Sequence, residues 1–300
     1  MKKFLAFFGH INIDVKIRVG DVNLPGSQKA ETVEELFGGT AGNFAMIAAR
    51  LNFPFDLYSS VSSSTHRQYI DHLSNMGVDV SKIDIREGFS GPVCYIITDG
   101  ERQRAFMHQG PIENWKASEG FNGDNYLWIN LGTGPADEYM KIAERSRLDS
   151  VVFDPGQELS YRYDDGSSNF MVKNSSMFIV NSDEFSILKE RLSRSGLTPE
   201  AVSKRFIVTR GSAGVELYNR GETIKFRSMK TPAVYDTVGA GDAFRAGLYF
   251  GIYKKYDLAD AVVLGIITAS EAIKKPVMEF SMTPEQLTES FERNRDSLLS

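Results

Sequence analysis

Asp236-Thr237-Val238-Gly239-Ala240-Gly241-Asp242-Ala243-Phe244 sets three residues with almost no side chain in front of a helix-like stretch that continues to Tyr253. Small residues let successive backbone N–H groups converge on one concavity, and a helix start attracts anions through its unpaired amides and its dipole. Asp242 is the odd residue there, because a carboxylate beside an anion hole repels phosphate unless it has a task. Taking the proton from an attacking hydroxyl is such a task. Residues 236–244 therefore point to phosphoryl transfer, with Gly239, Ala240 and Gly241 as the anion hole and Asp242 as general base. The plainer alternative is an Asp N-cap behind a glycine turn.

Outward from this stretch, apolar runs of strand length alternate with longer helix-like segments, the pattern of a parallel sheet covered by helices. Strands are predicted at 4–11, 55–61, 126–131, 150–153, 177–180 and 206–209, and helices at 42–51, 67–76, 136–147, 183–192, 243–253, 258–274 and 284–293. Two regions break the alternation: 13–19 with 31–36, and 93–98 with 102–108, each read as paired strands, the second turning at Asp99-Gly100-Glu101. Both fall in the first third or so of the chain, where they can form one small separate sheet. No internal repeat, low-complexity tract or long linker interrupts the 300 residues, so one core domain over 1–300 with an inserted small sheet is expected.

A net charge of −5 argues against nucleic acid or an anionic membrane as the main partner and suits a small neutral substrate. The one cysteine, Cys94, sits in an apolar run and permits no intramolecular disulfide, which fits a reducing, cytoplasmic setting. The start Lys2-Lys3-Phe4-Leu5-Ala6-Phe7-Phe8 imitates a signal peptide, but Gly9, His10, Asn12 and Asp14 interrupt it, and it reads better as a buried strand. No apolar run reaches the length of a membrane span. The four histidines, His10, His66, His72 and His108, lack metal-ligand spacing and are expected at the surface or in turns. There is no Gly-x-x-x-x-Gly-Lys-[Ser/Thr] loop, and Gly132-Thr133-Gly134 matches a dinucleotide fingerprint only in part.

The string at 236–244 resembles the C-terminal signature of the ribokinase family, the PfkB carbohydrate kinases, and Phe37-Gly38-Gly39-Thr40-Ala41-Gly42-Asn43-Phe44-Ala45 resembles its N-terminal one. The resemblance covers essentially the whole chain. It implies a three-layer α/β/α core with a mostly parallel sheet and a small β-sheet lid formed by about 13–36 and 91–110. It also implies an ATP- and magnesium-dependent kinase, and a homodimer through the lid.

Further site residues follow from the resemblance. Asn181-Ser182-Asp183-Glu184 is similar to the family's Asn-x-x-Glu element, implying that Asn181 contacts ATP phosphates and Glu184 holds magnesium through water; a helix-start capping pattern is the alternative. Thr209 and Gly211, with Gly241, are implied ATP contacts, against a tight hairpin turn. Asp236 is implied in a monovalent-cation loop, with potassium the cation, or else it supports the turn. Asn12, Asp14, Gly38, Gly39 and Asn43 are the implied acceptor contacts, Asp14 accepting from two sugar hydroxyls.

The acceptor is expected to be a nucleoside phosphorylated at its 5′ hydroxyl, of adenosine, inosine, guanosine or cytidine type. Uncharged Thr40, with Gly132 and Gly134, is expected to leave room beside the anomeric carbon, and Phe89, Tyr95 or Phe106 to stack on a base. A free-sugar kinase of ribokinase, fructokinase or ketodeoxygluconate-kinase type is the second reading. A phosphosugar kinase ranks third because no clear lysine and arginine cluster marks a second phosphate site. A noncatalytic sugar or nucleotide sensor would not need Asp242, and a dehydrogenase is a remote further class.

Overall fold

The computed structural model describes residues 2–199, 204–219, 221–231 and 233–299. Its strands are β1 (Lys3–Phe8), β2 (Asn12–Arg18), β3 (Thr32–Gly38), β4 (Asp56–Ser62), β5 (Ile83–Arg86), β6 (Val93–Thr98), β7 (Gln103–His108), β8 (Tyr126–Leu131), β9 (Val151–Phe153), β10 (Met177–Asn181), β11 (Arg205–Thr209), β12 (Val215–Asn219) and β13 (Glu222–Phe226). The helices are α1 (Thr40–Arg50), α2 (Arg67–Asn75), α3 (Ala136–Arg145), α4 (Leu159–Arg162), α5 (Asp165–Asn174), α6 (Ser182–Arg194), α7 (Ala240–Tyr253), α8 (Leu258–Ala272) and α9 (Pro284–Leu298).

Among the described residues, nine strands form one sheet in the order β13-β12-β11-β10-β9-β8-β1-β4-β5. All its pairings are parallel except β11 with β12 and β12 with β13. Side-chain alternation divides the core between the two faces. Leu5 and Phe7 pack with α1, α2, α7, α8 and α9, whereas Ala6 and Phe8 pack with α3, α5 and α6. Each fully buried Leu or Phe of these layers contributes about 1.5–3 kcal/mol, so the two apolar faces hold the three-layer arrangement.

A second sheet has the order β3-β2-β6-β7. Both hairpins expected from sequence form, β2 with β3 and β6 with β7, and β2 pairs parallel with β6 to join them. Register fixes which side chains share a face: Asp14 lies opposite Cys94, and Cys94 opposite Met107. Val15, Tyr95 and Phe106 make the neighbouring row and so point to the other face.

Three expectations change. The first strand stops at Phe8, and Asn12 already belongs to β2. Helix α7 starts at Ala240, which puts Gly241 and Asp242 inside its first turn. His10 and His66 are buried, their rings engaged by Thr133 and Gln109 in one case and by Thr65 in the other. No helix among the described residues is long and apolar enough to cross a membrane.

Candidate active site

Strand β2 leaves the end of β1 and alternates Asn12 and Asp14 onto the face that lines a cavity of about 360 Å³. Gly38 lies directly beneath the Asp14 carboxylate, and a Cβ there would stand 2.1 Å from Oδ2. Gly39 has φ +85° and would meet the His10 carbonyl and the Asn12 N–H at 2.6 Å. Only glycine allows this close approach of β2 to the start of α1. The His10 carbonyl then accepts from the Ala41 and Gly42 N–H groups at 2.9 and 3.2 Å.

The first turn of α1 carries Asn43, whose Nδ2 donates to Asp242 Oδ2 at 2.9 Å. Asp242 Oδ1 accepts from Arg245 Nη1 at 3.2 Å, one turn further along α7. Arg245 also forms a two-pronged ion pair with Asp154, at the end of β9. Asn130 Nδ2 donates to Asp154 at 3.1 Å, and the Tyr249 hydroxyl donates to Asn130 Oδ1 at 2.8 Å. A buried network thus holds the Asp242 carboxylate from behind while its residue lines the cavity.

Burial pushes Asp242 up to about 7, the Asp154 charge adding to it and Arg245 and Asn43 opposing it. Burial likewise pushes Asp14 up to about 7, with the Asp242 charge adding to the shift. Asp14 shows no hydrogen bond to its carboxylate among the described residues, and Asn12 Oδ1 is buried without a partner. Buried acceptors of this kind call for donors from outside the chain.

Gly239 caps α7 with φ +80° and no side-chain cap, and Gly241 and Asp242 follow as the second and third helical residues, whose N–H groups have no intrahelical partner. The Ala240 N–H donates to the Thr237 carbonyl at 3.2 Å. Of the three residues expected in the anion hole, Gly239 and Gly241 thus have amides with no backbone acceptor among the described residues, as does Asp242.

The pfkB family carbohydrate kinase model matches residues 2–285. This chain belongs to that family. It is accordingly a phosphotransferase with an alcohol acceptor, a nucleoside or sugar kinase. A Thermoplasma acidophilum nucleoside kinase is 38% identical over 98% of this chain and 97% of its own length. The structure of Methanocaldococcus jannaschii nucleoside kinase aligns with TM-score 0.87 at 25% identity, over 98% of this chain and 100% of that one. Burkholderia thailandensis nucleoside kinase, solved in complex with inosine, shares the fold with TM-score 0.86 at 21% identity, over 99% of each chain.

In this pfkB-family kinase, Asn12, Asp14, Gly39, Asn43, Asn181, Glu184, Thr209, Gly239, Gly241 and Asp242 line one cavity. Gly38, Gly211, Asp236 and Ala240 are not among its lining residues. Gly211 starts a one-turn helix between β11 and β12, an antiparallel hairpin. Asp236 Oδ2 pairs with Lys16 of the small sheet at 3.0 Å, and Oδ1 accepts from the Val238 N–H at 3.0 Å. Asn181 and Glu184 form a capping box at the start of α6: Glu184 oxygens accept from Asn181 N at 2.9 Å and Nδ2 at 2.8 Å. The capping alternative is therefore the one observed, and both residues also line the cavity.

The expected base contacts need correction. Tyr95 and Phe106 point to the outer face of the small sheet, and neither they nor Phe89 line the cavity. Cys94, Ile96, Ala105 and Met107 do so instead. Gly132 and Gly134 leave no space for a base: a Cβ would meet the Phe8 carbonyl at 2.5 Å in one case and the Tyr139 hydroxyl at 2.2 Å in the other. An adjoining cavity of about 700 Å³ shares Cys94, Ala105, Met107 and Gln157 with the first and is lined further by Tyr161 and Arg162. Arg245, Asp154, His10, Thr133 and Glu158 were missed from sequence. Asp154 alone left a signal, an acid at the carboxyl end of an apolar strand.

Proposed function

We propose that the protein is a nucleoside kinase that transfers the γ-phosphoryl group of ATP to the 5′ hydroxyl of a purine or pyrimidine nucleoside. The observation that carries this reading is the placement of Asp242, beside an anion-binding helix start, in one cavity with the partnerless Asp14. Asp242 takes the hydroxyl proton as the new O–P bond forms and the β–γ bridge bond breaks, releasing ADP. The N–H groups of Gly239, Gly241 and Asp242 receive the phosphoryl oxygens, while Ala240, whose N–H is held by Thr237, shapes the turn between them.

Asp14 and Asn12 accept from ribose hydroxyls, Gly38 and Gly39 give the backbone clearance, and Asn43 keeps Asp242 oriented. The adjoining cavity beyond Met107 gives a base its room, with Tyr161 the aromatic residue on its wall. The uncharged inner face of β6 and β7 suits a base better than a second phosphate, and the full-length Thermoplasma acidophilum relative supports the same acceptor class.

Asn181 and Thr209, with the Gly211 turn beyond them and Gly241 opposite, form the ATP end. No cluster of three or more metal-ligating carboxylate, His or Cys side chains occurs among the described residues. Glu184, its oxygens already engaged by Asn181, suits magnesium held through water with the nucleotide phosphates. Magnesium supplies charge neutralisation on those phosphates when bound. Potassium at Asp236 would have to share its carboxylate with Lys16, so activity in potassium against sodium buffers tests that assignment.

Residues 1–300 act as one kinase domain, with β2, β3, β6 and β7 as a lid that excludes water. The exposed Val33, Tyr95 and Phe106 on its outer face suit pairing with a second copy, which sedimentation would detect. The single Cys94 fits a reducing cytoplasm.

A coupled assay with ATP and magnesium decides the acceptor. Inosine, adenosine, guanosine or cytidine should each exceed ribose, fructose and ketodeoxy sugars in kcat/KM. A free sugar about tenfold better than every nucleoside would replace this reading with a sugar kinase, the class that the pfkB family name also covers.

A further inference from the structure

A continuous row of polar side chains runs between the two cavities. Thr40 Oγ1 lies 2.7 Å from Thr133 Oγ1, which lies 2.8 Å from His10 Nδ1. His10 Nε2 lies 2.5 Å from Gln109 Oε1, and Gln109 Nε2 donates to Glu158 Oε1 at 3.0 Å.

The direction of every proton in this row follows from its far end. Glu158 is buried and ion-paired with Arg162 Nε at 3.0 Å, and it also accepts from the Tyr161 hydroxyl and the Gly134 N–H. A carboxylate so placed accepts only, which makes the Gln109 amide nitrogen the donor and turns Oε1 toward His10. Burial lowers His10 below its ordinary value, so the ring is neutral and carries one N–H. That N–H sits on Nε2 and meets Gln109; Nδ1 is then an acceptor and takes the hydroxyl proton of Thr133. Thr133 Oγ1 also accepts from the His10 backbone N–H at 3.2 Å. Its own proton is engaged, so the Thr40 hydroxyl must donate to it. Thr40 is half-buried on the wall of the acceptor cavity and shows a ligand only lone pairs.

We propose that Glu158, acting through Gln109, His10 and Thr133, fixes Thr40 as an acceptor-only contact, and that this selects acceptors bearing a ring hydroxyl there over their deoxy analogues. The proposal rests on reading the cavity as the alcohol-acceptor site. Together with Asp14 it provides two acceptors at the sugar, which matches a vicinal diol. A missing hydroxyl would leave a site acceptor unpaired, the case in which discrimination is strongest.

The test compares inosine with 2′-deoxyinosine and 3′-deoxyinosine, and ribose with 2-deoxyribose, at pH 8. The kinase should prefer the hydroxylated member, and Thr40→Val should shrink one preference by about 3–10-fold, chiefly by slowing the hydroxylated substrate. Thr40→Ser should restore it. Gln109→Ala, at a half-buried position, should shrink the same ratio because it frees the His10 tautomer; a uniform loss of folded enzyme cancels in that ratio. Nitrogen NMR of the imidazole should find His10 as the Nε2–H tautomer, and as a mixture in Gln109→Ala. An Nδ1–H tautomer in the parent protein, or equal losses on every substrate in Thr40→Val, overturns the proposal. If ribose is phosphorylated and no nucleoside is, the nucleoside reading falls while the sugar pair still decides the role of Thr40.

Discussion

Helices α1 and α7 begin alike and do different work. Each starts behind a glycine of positive φ, Gly39 at +85° and Gly239 at +80°, with no side-chain cap, and each lies beside a carboxyl group pushed up to about 7. The acids differ in their partners. Asp242 is held by Asn43 and by Arg245, which Asp154 holds in turn, whereas Asp14 faces the cavity with no hydrogen bond from any described residue. A carboxylate held by fixed partners keeps one orientation through a reaction. One without them gains its donors only when a ligand supplies hydroxyls. The first arrangement suits a base and the second a binding residue.

Replacing Asp242 is the hardest test of that division. Asp242→Asn keeps the shape and an oxygen that can accept from Arg245, though without the charge, and cannot take a proton, so kcat should fall about 10²–10⁴-fold with acceptor binding little changed. The parent pH profile should rise through about pH 7 as the carboxyl ionises. Activity within a few-fold of the parent would remove Asp242 from the chemistry. Asp14→Ala should instead weaken acceptor use by about 2–4 kcal/mol, from two charge-assisted hydrogen bonds, and leave ATP affinity unaltered. Unchanged acceptor affinity, measured by titration calorimetry, together with unchanged turnover would remove Asp14 from the acceptor site and end the comparison.

The two glycine turns ahead of these helices were legible in the sequence because each is written in consecutive residues, although the helices begin earlier than expected, at Thr40 rather than Gly42 and at Ala240 rather than Ala243. So was the parallel centre of the large sheet, whose buried strands are unbroken apolar runs. The edges were not: β12 alternates Val215 and Leu217 with half-exposed residues, and β5 has only four residues. The network behind Asp242 was hidden for another reason. Arg245 and Asp154 lie 91 positions apart, and a helical Arg gives no hint of such a partner. The aromatic residue of β6 in the small sheet failed by a single position, since Cys94 and Ile96 face the cavity and Tyr95 between them does not.

Alanine at the two capping glycines compares the same starts through their backbones. Both substitutions force an L side chain into the left-handed region at about 1 kcal/mol or more. Gly39→Ala would set its Cβ 2.6 Å from backbone atoms of His10 and Asn12, while Gly239→Ala meets the Val277 methyl at 2.7 Å, which can move. Urea unfolding should show the larger loss for Gly39→Ala. Gly239→Ala should chiefly lower kcat, by displacing the anion-binding amides. The reverse order of stabilities would mean that the α7 start is the more rigid of the two.

The smallest expected effect is one of stability, and it has an unusual sign for an active-site change. Asp14 has its ordinary carboxyl value, about 3.8, when unfolded and is pushed up to about 7 when folded. Between those values the folded chain binds the proton more tightly, so each rise in pH across that window costs stability, and the whole cost is present above about pH 7. Asp14→Asn removes the charge with little change of volume. It should therefore raise the thermal midpoint at pH 8, by about 2–4 °C for each kcal/mol recovered, and the gain should fade as pH approaches 4. Asp242→Asn should gain less, because it also gives up the ionic contact with Arg245. Scans of both variants and the parent at pH 4.5 and pH 8 measure this directly. An Asp14→Asn gain that is equal at both pH values would show that the charge of Asp14 is not what strains the folded site, and Asp14 would then need partners that it does not display.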